Sequence, residues 1–159
     1  MNEKRRLKIG IDYHGVIDRD PDYFREFSRE LIRRGHEVHV VTGGPCGTVT
    51  ETLRKLRFCY TQSFAVLDHY EAEGLVKHET DGGFRVADEL WNSAKAEYCR
   101  AQGIDLHIDD SLEYLRYFVT PYCRYDERTH RCTLNDEPCL DFNLAPKQVV
   151  AHLEKIFSK

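Results

Sequence analysis

Three short apolar runs in this chain each end on a residue able to do chemistry. Leu7 to Ile11 runs into Asp12, Val38 to Val41 into Thr42, and Leu106 to Ile108 into the pair Asp109-Asp110. In an open parallel sheet, ligands bind beyond the carboxyl ends of the strands, and right-handed crossovers bring such ends to a common edge. The spacing therefore predicts carboxylates, a hydroxyl and glycine-rich turns gathered in one place. Three carboxylates converging without histidine or cysteine nearby suit a hard, oxygen-preferring cation, with Mg²⁺ as the first choice. Their mutual repulsion also calls for a cation. Mg²⁺ usually completes its shell with phosphate oxygens, which points to a small phosphorylated substrate. Gly43-Gly44 after Thr42 leaves backbone N–H groups open to the approach of an anion. A cationic side chain is still required to offset phosphoryl charge, and a lysine on a neighbouring helix would serve.

The intervening segments supply the elements that would hold these residues. Asp20-Pro21 reads as an N-cap with proline at the first helical position. Tyr23, Phe24, Phe27, Leu31 and Ile32 then form a helical stripe that stops before Gly35. Thr48 to Glu51 has the form of a capping box opening a helix through Val49, Leu53 and Leu56. Phe64 to Leu67 reads as a third strand, and Leu75-Val76 with Phe84 to Val86 flank Asp81-Gly82-Gly83 as a small β-hairpin. Leu90 to Ala101 is helical and closed by Gly103. Asp110-Ser111 could alternatively cap a helix beginning at Leu112. Pro146 opens a last helix carrying Val149, Val150, Leu153, Ile156 and Phe157. Strands separated by helices predict an α/β fold with a doubly wound parallel sheet. One domain spanning residues 1–159 accounts for the chain, with the hairpin at about 74–87 as a small lid and an irregular excursion at about 120–144.

Four segments, taken in order, resemble the motifs of haloacid-dehalogenase-like (HAD) phosphatases. Ile9-Gly-Ile-Asp12-Tyr-His14-Gly-Val16 is similar to the first, an apolar strand followed by Asp-x-Asp-x-Thr/Val. Val40-Val41-Thr42-Gly43 is similar to the second, Lys95 within Trp91 to Tyr98 to the third, and Leu106-His-Ile-Asp109-Asp110 to the fourth. Together they span about two-thirds of the chain. The resemblance implies a Rossmann-like core of the small-cap or capless type. It implies that Asp12 attacks phosphorus to form an aspartyl-phosphate. Thr42 and Lys95, with Gly43 and Gly44, would bind the transferring group. Asp12, the backbone carbonyl of His14, and Asp109 or Asp110 would hold Mg²⁺. The sequence departs from the family at His14, where these phosphatases carry a second aspartate as general acid and base. Histidine can do that work near neutral pH, given an ordinary pKa of about 6.5. The same change also fits a protein that binds Mg²⁺ and phosphate without efficient turnover. About thirty residues separate Asp12 from Thr42, too few for a large cap after the first motif.

Composition narrows the alternatives. Hydrophobic residues make up 41% of the 159 and charged residues 31%, the balance of an ordinary globular protein. No apolar run approaches the roughly 20 residues of a membrane helix, and the charged start lacks a signal-peptide pattern, so a cytoplasmic protein is expected. A formal net charge of −4 argues against general nucleic-acid binding. A nucleic-acid end phosphatase steered by Arg5, Arg6 and Arg57 stays open as an alternative. A response-regulator-type phosphoacceptor is disfavoured, because there the acidic pair follows the first strand. The six cysteines are expected as thiols in a reducing compartment. Cys123, His130, Cys132 and Cys139 could bind zinc, but their spacing lacks the C-x-x-C knuckle.

Overall fold

The computed structural model describes residues 3–134 and 137–158, without the side chains of 137–139. A seven-stranded sheet, in the order β3-β2-β1-β6-β7-β8-β9, forms the centre. Its strands are β1 (Lys8–Ile11), β2 (Glu37–Thr42), β3 (Gln62–Ala65), β6 (Leu106–Asp109), β7 (Tyr122–Asp126), β8 (Arg131–Leu134) and β9 (Glu137–Asp141). Pairing from β3 to β7 is parallel, while β8 and β9 add antiparallel strands at one edge. The protein is thus mixed α/β with a mostly parallel sheet.

Side-chain alternation along the strands decides what each face buries. Ile9, Ile11, Val38, Val40, Leu106 and Ile108 point into one layer with α1 (Pro21–Arg33), α2 (Cys46–Lys55) and α5 (Pro146–Ile156). Val41 faces the other way, against Cys99 and Ile104. On that side α3 (Val66–Ala72) packs on α4 (Asp88–Gln102), through Val66, Tyr70 and Ala94. Helices therefore cover both faces. The order of β1, β2 and β3 runs outward in one direction, and β6 returns on the other side of β1. The chain reverses direction across the sheet between β1 and β6, and a crevice forms at such a point.

Several local expectations hold. Asp20 accepts a hydrogen bond from the Tyr23 N–H (3.3 Å) at the start of α1, and Gly103 closes α4 with φ of 66°. The hairpin forms, pairing β4 (Lys77–His78) with β5 (Phe84–Arg85), so its first strand falls just after the expected Leu75-Val76. Others are corrected. The run Phe64 to Leu67 is not one strand: β3 ends at Ala65, and Val66 and Leu67 open α3, buried in a helix. A short apolar run reads alike in either state. Thr48 does not cap α2, which begins at Cys46 after the cis Gly44-Pro45 bond. The cap comes from across the fold, where Asp68 accepts from the Cys46 N–H (2.8 Å). No helix starts at Leu112; only a short 3₁₀ turn forms at Leu115–Tyr117. Within 120–144 the described residues are mostly strand, since β7, β8 and β9 form an antiparallel meander with one register shift at Cys132/Thr133. Its inner face joins the core through Tyr125, Cys132, Leu140 and Phe142. Among the described residues no helix is long and apolar enough to cross a membrane.

Candidate functional site

At the reversal between β1 and β6 the chain delivers four charged groups. Asp12 follows β1, and its N–H donates to the Ile108 carbonyl (2.9 Å), which ties it to β6. Asp109 ends β6, and Lys95 reaches in from the middle of α4. Asp12, Asp109 and Lys95 are all buried. The Lys95 ammonium donates to Asp12 Oδ1 (3.0 Å) and to Asp109 Oδ2 (3.0 Å), with the Tyr114 ring 4.9 Å away. Asp110 is exposed at the rim. One carboxylate oxygen from each of Asp12, Asp109 and Asp110 lies within 4.8 Å of the others. Among the described residues this is the only convergence of three or more His, Cys, Asp or Glu side chains with metal-binding spacing.

Electrostatics define what the pocket lacks. Burial, and then repulsion from Asp109, pushes the Asp12 carboxyl well above its ordinary range despite the neighbouring Lys95. Burial works in the same direction on Asp109, but the Lys95 ammonium and the His107 hydrogen bond prevail and hold it low. Lys95 is held in its charged form by the two carboxylates, against the opposing effect of burial. Asp110 is raised by partial burial and by Asp109. Three carboxylates against a single ammonium leave two negative charges without a partner when all are ionised. A divalent cation matches that deficit, and the donor set is all oxygen, which fits Mg²⁺.

Sequence reasoning missed His107. Its Nε2–H donates to Asp109 Oδ2 (3.0 Å), its ring stacks on Phe118 (5.1 Å between centroids), and it is fully buried. The expectation of a cluster without histidine nearby is therefore corrected, although the ring orients a carboxylate and is not itself among the converging ligands. Burial lowers the His107 pKa and keeps the ring neutral. Its Nδ1 has no hydrogen-bond partner among the described residues. A signal was present in Gly10: a Cβ there would lie 2.6 Å from His107 Nδ1, and glycine inside a strand marks a close approach.

Thr42 is buried at the end of β2, with its Oγ1 accepting from the Gly44 N–H (3.3 Å). Gly43 lies beneath Trp91, whose ring would sit 3.1 Å from a Cβ at that position. Phe84 of the hairpin packs on the same indole (5.5 Å), so the hairpin flanks this side of the site. His14 sits in the turn Tyr13–Ile17 that follows Asp12. His14 (φ −73°, ψ 122°) and Gly15 (φ 90°, ψ −8°) have the central dihedrals of a type II turn, which requires glycine second. A Cβ on Gly15 would also lie 2.2 Å from the Asp110 carboxyl carbon. The His14 side chain is 60% exposed, 3.5 Å from Asp18 and edge-on to Tyr13. The structure thus brings Asp12, Lys95, Asp109 and Asp110 together, with Thr42 on the adjacent strand end and the His14 ring turned outward.

The zinc set does not gather among the described side chains. Cys123 and Cys132 are buried in the meander, His130 Nδ1 meets the Tyr125 hydroxyl (3.2 Å), and the Cys139 side chain lies outside the described residues. Arg5 and Arg6 precede β1 and pair with Asp105 and Glu37, at the starts of β6 and β2. Arg57 precedes β3. All three lie toward the end of the strands opposite the carboxylates. No protein-family model and no curated protein matches the chain. Fold and geometry alone define it as a mixed α/β protein with an acidic cluster at the reversal of its sheet.

Proposed function

We propose that the protein is a Mg²⁺-dependent phosphomonoester hydrolase with a doubly wound core of HAD type, acting on a small phosphorylated metabolite or nucleotide. The observation that carries the reading is the meeting of Asp12, Asp109 and Asp110 with the buried Lys95 ammonium at the sheet reversal. Asp12, the His14 carbonyl, Asp109 and Asp110 would hold the metal. When bound, Mg²⁺ neutralises the carboxylates and polarises phosphoryl oxygens. An Asp12 carboxylate oxygen forms a bond to phosphorus as the ester P–O bond breaks, and the departing oxygen takes a proton from His14 to leave as an alcohol. Lys95 aims Asp12 and opposes the burial that favours its protonated form, and it offsets charge on the transferring group together with the Thr42 hydroxyl and the Gly43 and Gly44 amides. Water then attacks phosphorus while giving a proton back to His14, and the bond between phosphorus and the Asp12 oxygen breaks, releasing phosphate and regenerating the Asp12 carboxylate.

The outward His14 ring favours a second reading, a Mg²⁺- and phosphate-binding protein with slow turnover. Proton transfer by a positioned group contributes roughly 10²- to 10⁴-fold, so the two readings differ in rate and share a site. The test is hydrolysis of an aryl phosphate and a panel of phosphorylated metabolites in Mg²⁺, by wild type and Asp12→Asn. Loss of activity in Asp12→Asn is expected, and equal activity in both would overturn the mechanism. In His14→Asp, faster turnover identifies histidine as a handicap and slower turnover identifies it as the proton donor.

A further inference from the structure

Beside the acidic cluster lies a cavity of about 420 Å³, between the turn after β1 and the β7–β8 hairpin. Gly15 and Asp110 line it together with Arg19, Arg124 and Arg128. Three carboxylates share its wall, Asp110 of the cluster and two others that have partners of their own. Asp126 accepts from the Arg128 backbone N–H (2.9 Å), and Glu127 pairs with Arg19 (3.3 Å). The guanidinium groups of Arg124 and Arg128 have no hydrogen-bond or ion-pair partner among the described residues. Arg124 is half-buried on β7 and stands in register with Asp109 on β6. A partly buried guanidinium left unpaired forfeits charge-assisted bonds that a carboxylate or phosphate would supply in bidentate form. Asp110 belongs both to the cavity wall and to the acidic cluster, so the two adjoin.

We infer that Arg124, assisted by Arg128, binds a second anionic group on the substrate, so that the preferred ester carries a phosphate or carboxylate besides the phosphoryl group transferred. This rests on the phosphatase reading and adds the substrate class to it. The test compares kcat/KM for phenyl phosphate, carboxyphenyl phosphate and phenylene bisphosphate. Wild type should prefer one or both doubly anionic esters by roughly tenfold or more, the scale of one charge-assisted bond. Preference for the carboxylate or for the bisphosphate identifies which anion the site takes. Arg124→Gln should collapse that ratio toward one, and Arg128→Gln, at the exposed hairpin tip, should reduce it even if Arg124→Gln fails to fold. A wild-type ratio near one, or a ratio that survives in both variants, would overturn the inference. Turnover of none of the esters would sink the phosphatase reading by itself. Calorimetric titration of the same esters in Mg²⁺ then decides the anion site separately: tighter, Arg124-dependent binding of a doubly anionic ester upholds it, and equal binding of all three overturns it.

Discussion

Asp12 and Asp109 are chemically identical side chains whose surroundings push them apart. Asp109 is held ionised by Lys95 and His107, whereas burial and the Asp109 charge drive Asp12 toward its protonated form. A divalent ion must therefore displace a proton from Asp12 whenever pH lies below that raised value. Mg²⁺ affinity should rise with pH through the range in which Asp12 ionises and level off above it, as calorimetry across a pH series would show; a flat profile would contradict the assignment. His107 acts one bond further out. His107→Phe keeps the ring volume and the Phe118 contact, removes a donor to Asp109, and also removes the unpaired Nδ1. Loss of an outer-shell partner typically costs roughly 10- to 100-fold in metal affinity. The variant should bind Mg²⁺ that much more weakly while its thermal stability changes little. Unaltered Mg²⁺ affinity would leave His107 as packing alone.

At the scale of elements, α1 and α5 share the layer on one face of the sheet and are tied by charge as well as by Phe24, Leu31 and Leu153. Glu154 of α5 meets Arg34 (3.1 Å) just beyond α1, His36 (2.9 Å) before β2, and Lys4. Burial alone would raise the Glu154 carboxyl, but bonds from Lys4 and His36, with Arg34 nearby, hold it below its ordinary 4.5. A carboxyl lowered on folding stabilises fully above its unfolded value, and that stabilisation is lost as pH falls through the folded one. Thermal melts should therefore show wild type losing its advantage over Glu154→Gln as pH drops below about 4.5. At neutral pH the advantage should be on the order of 1 kcal/mol, given partial solvent screening. An unchanged gap at low pH would mean that Glu154 acts by shape alone. The α2 start shows the same dependence on distant partners, because Asp68 of α3 supplies the cap that the local Thr48 pattern mimicked.

For the molecule as a whole, much of the fold was legible because short elements carry their own signals. Asp20-Pro21 and the Phe24, Phe27, Leu31 stripe mark α1 through capping and periodicity, and the apolar runs before Asp12, Thr42 and Asp109 mark the three strands that point at the site. The meander of β7 to β9 was not legible. Its pattern is interrupted by charged Arg124 and Arg131 and by Pro138, and its identity comes from pairing with β6 and from burial of Tyr125, Cys132 and Leu140. The sequence by itself determined which residues could do the chemistry and which strand end each would occupy, because apolar runs and their terminators are local properties of the chain. Only the tertiary structure decided that Lys95 bridges two carboxylates, that His107 steadies one of them, that the His14 ring turns outward, and that Arg124 lines a cavity beside the cluster. Those facts depend on distances between residues far apart in the chain, and such distances are set when the helices pack on the sheet.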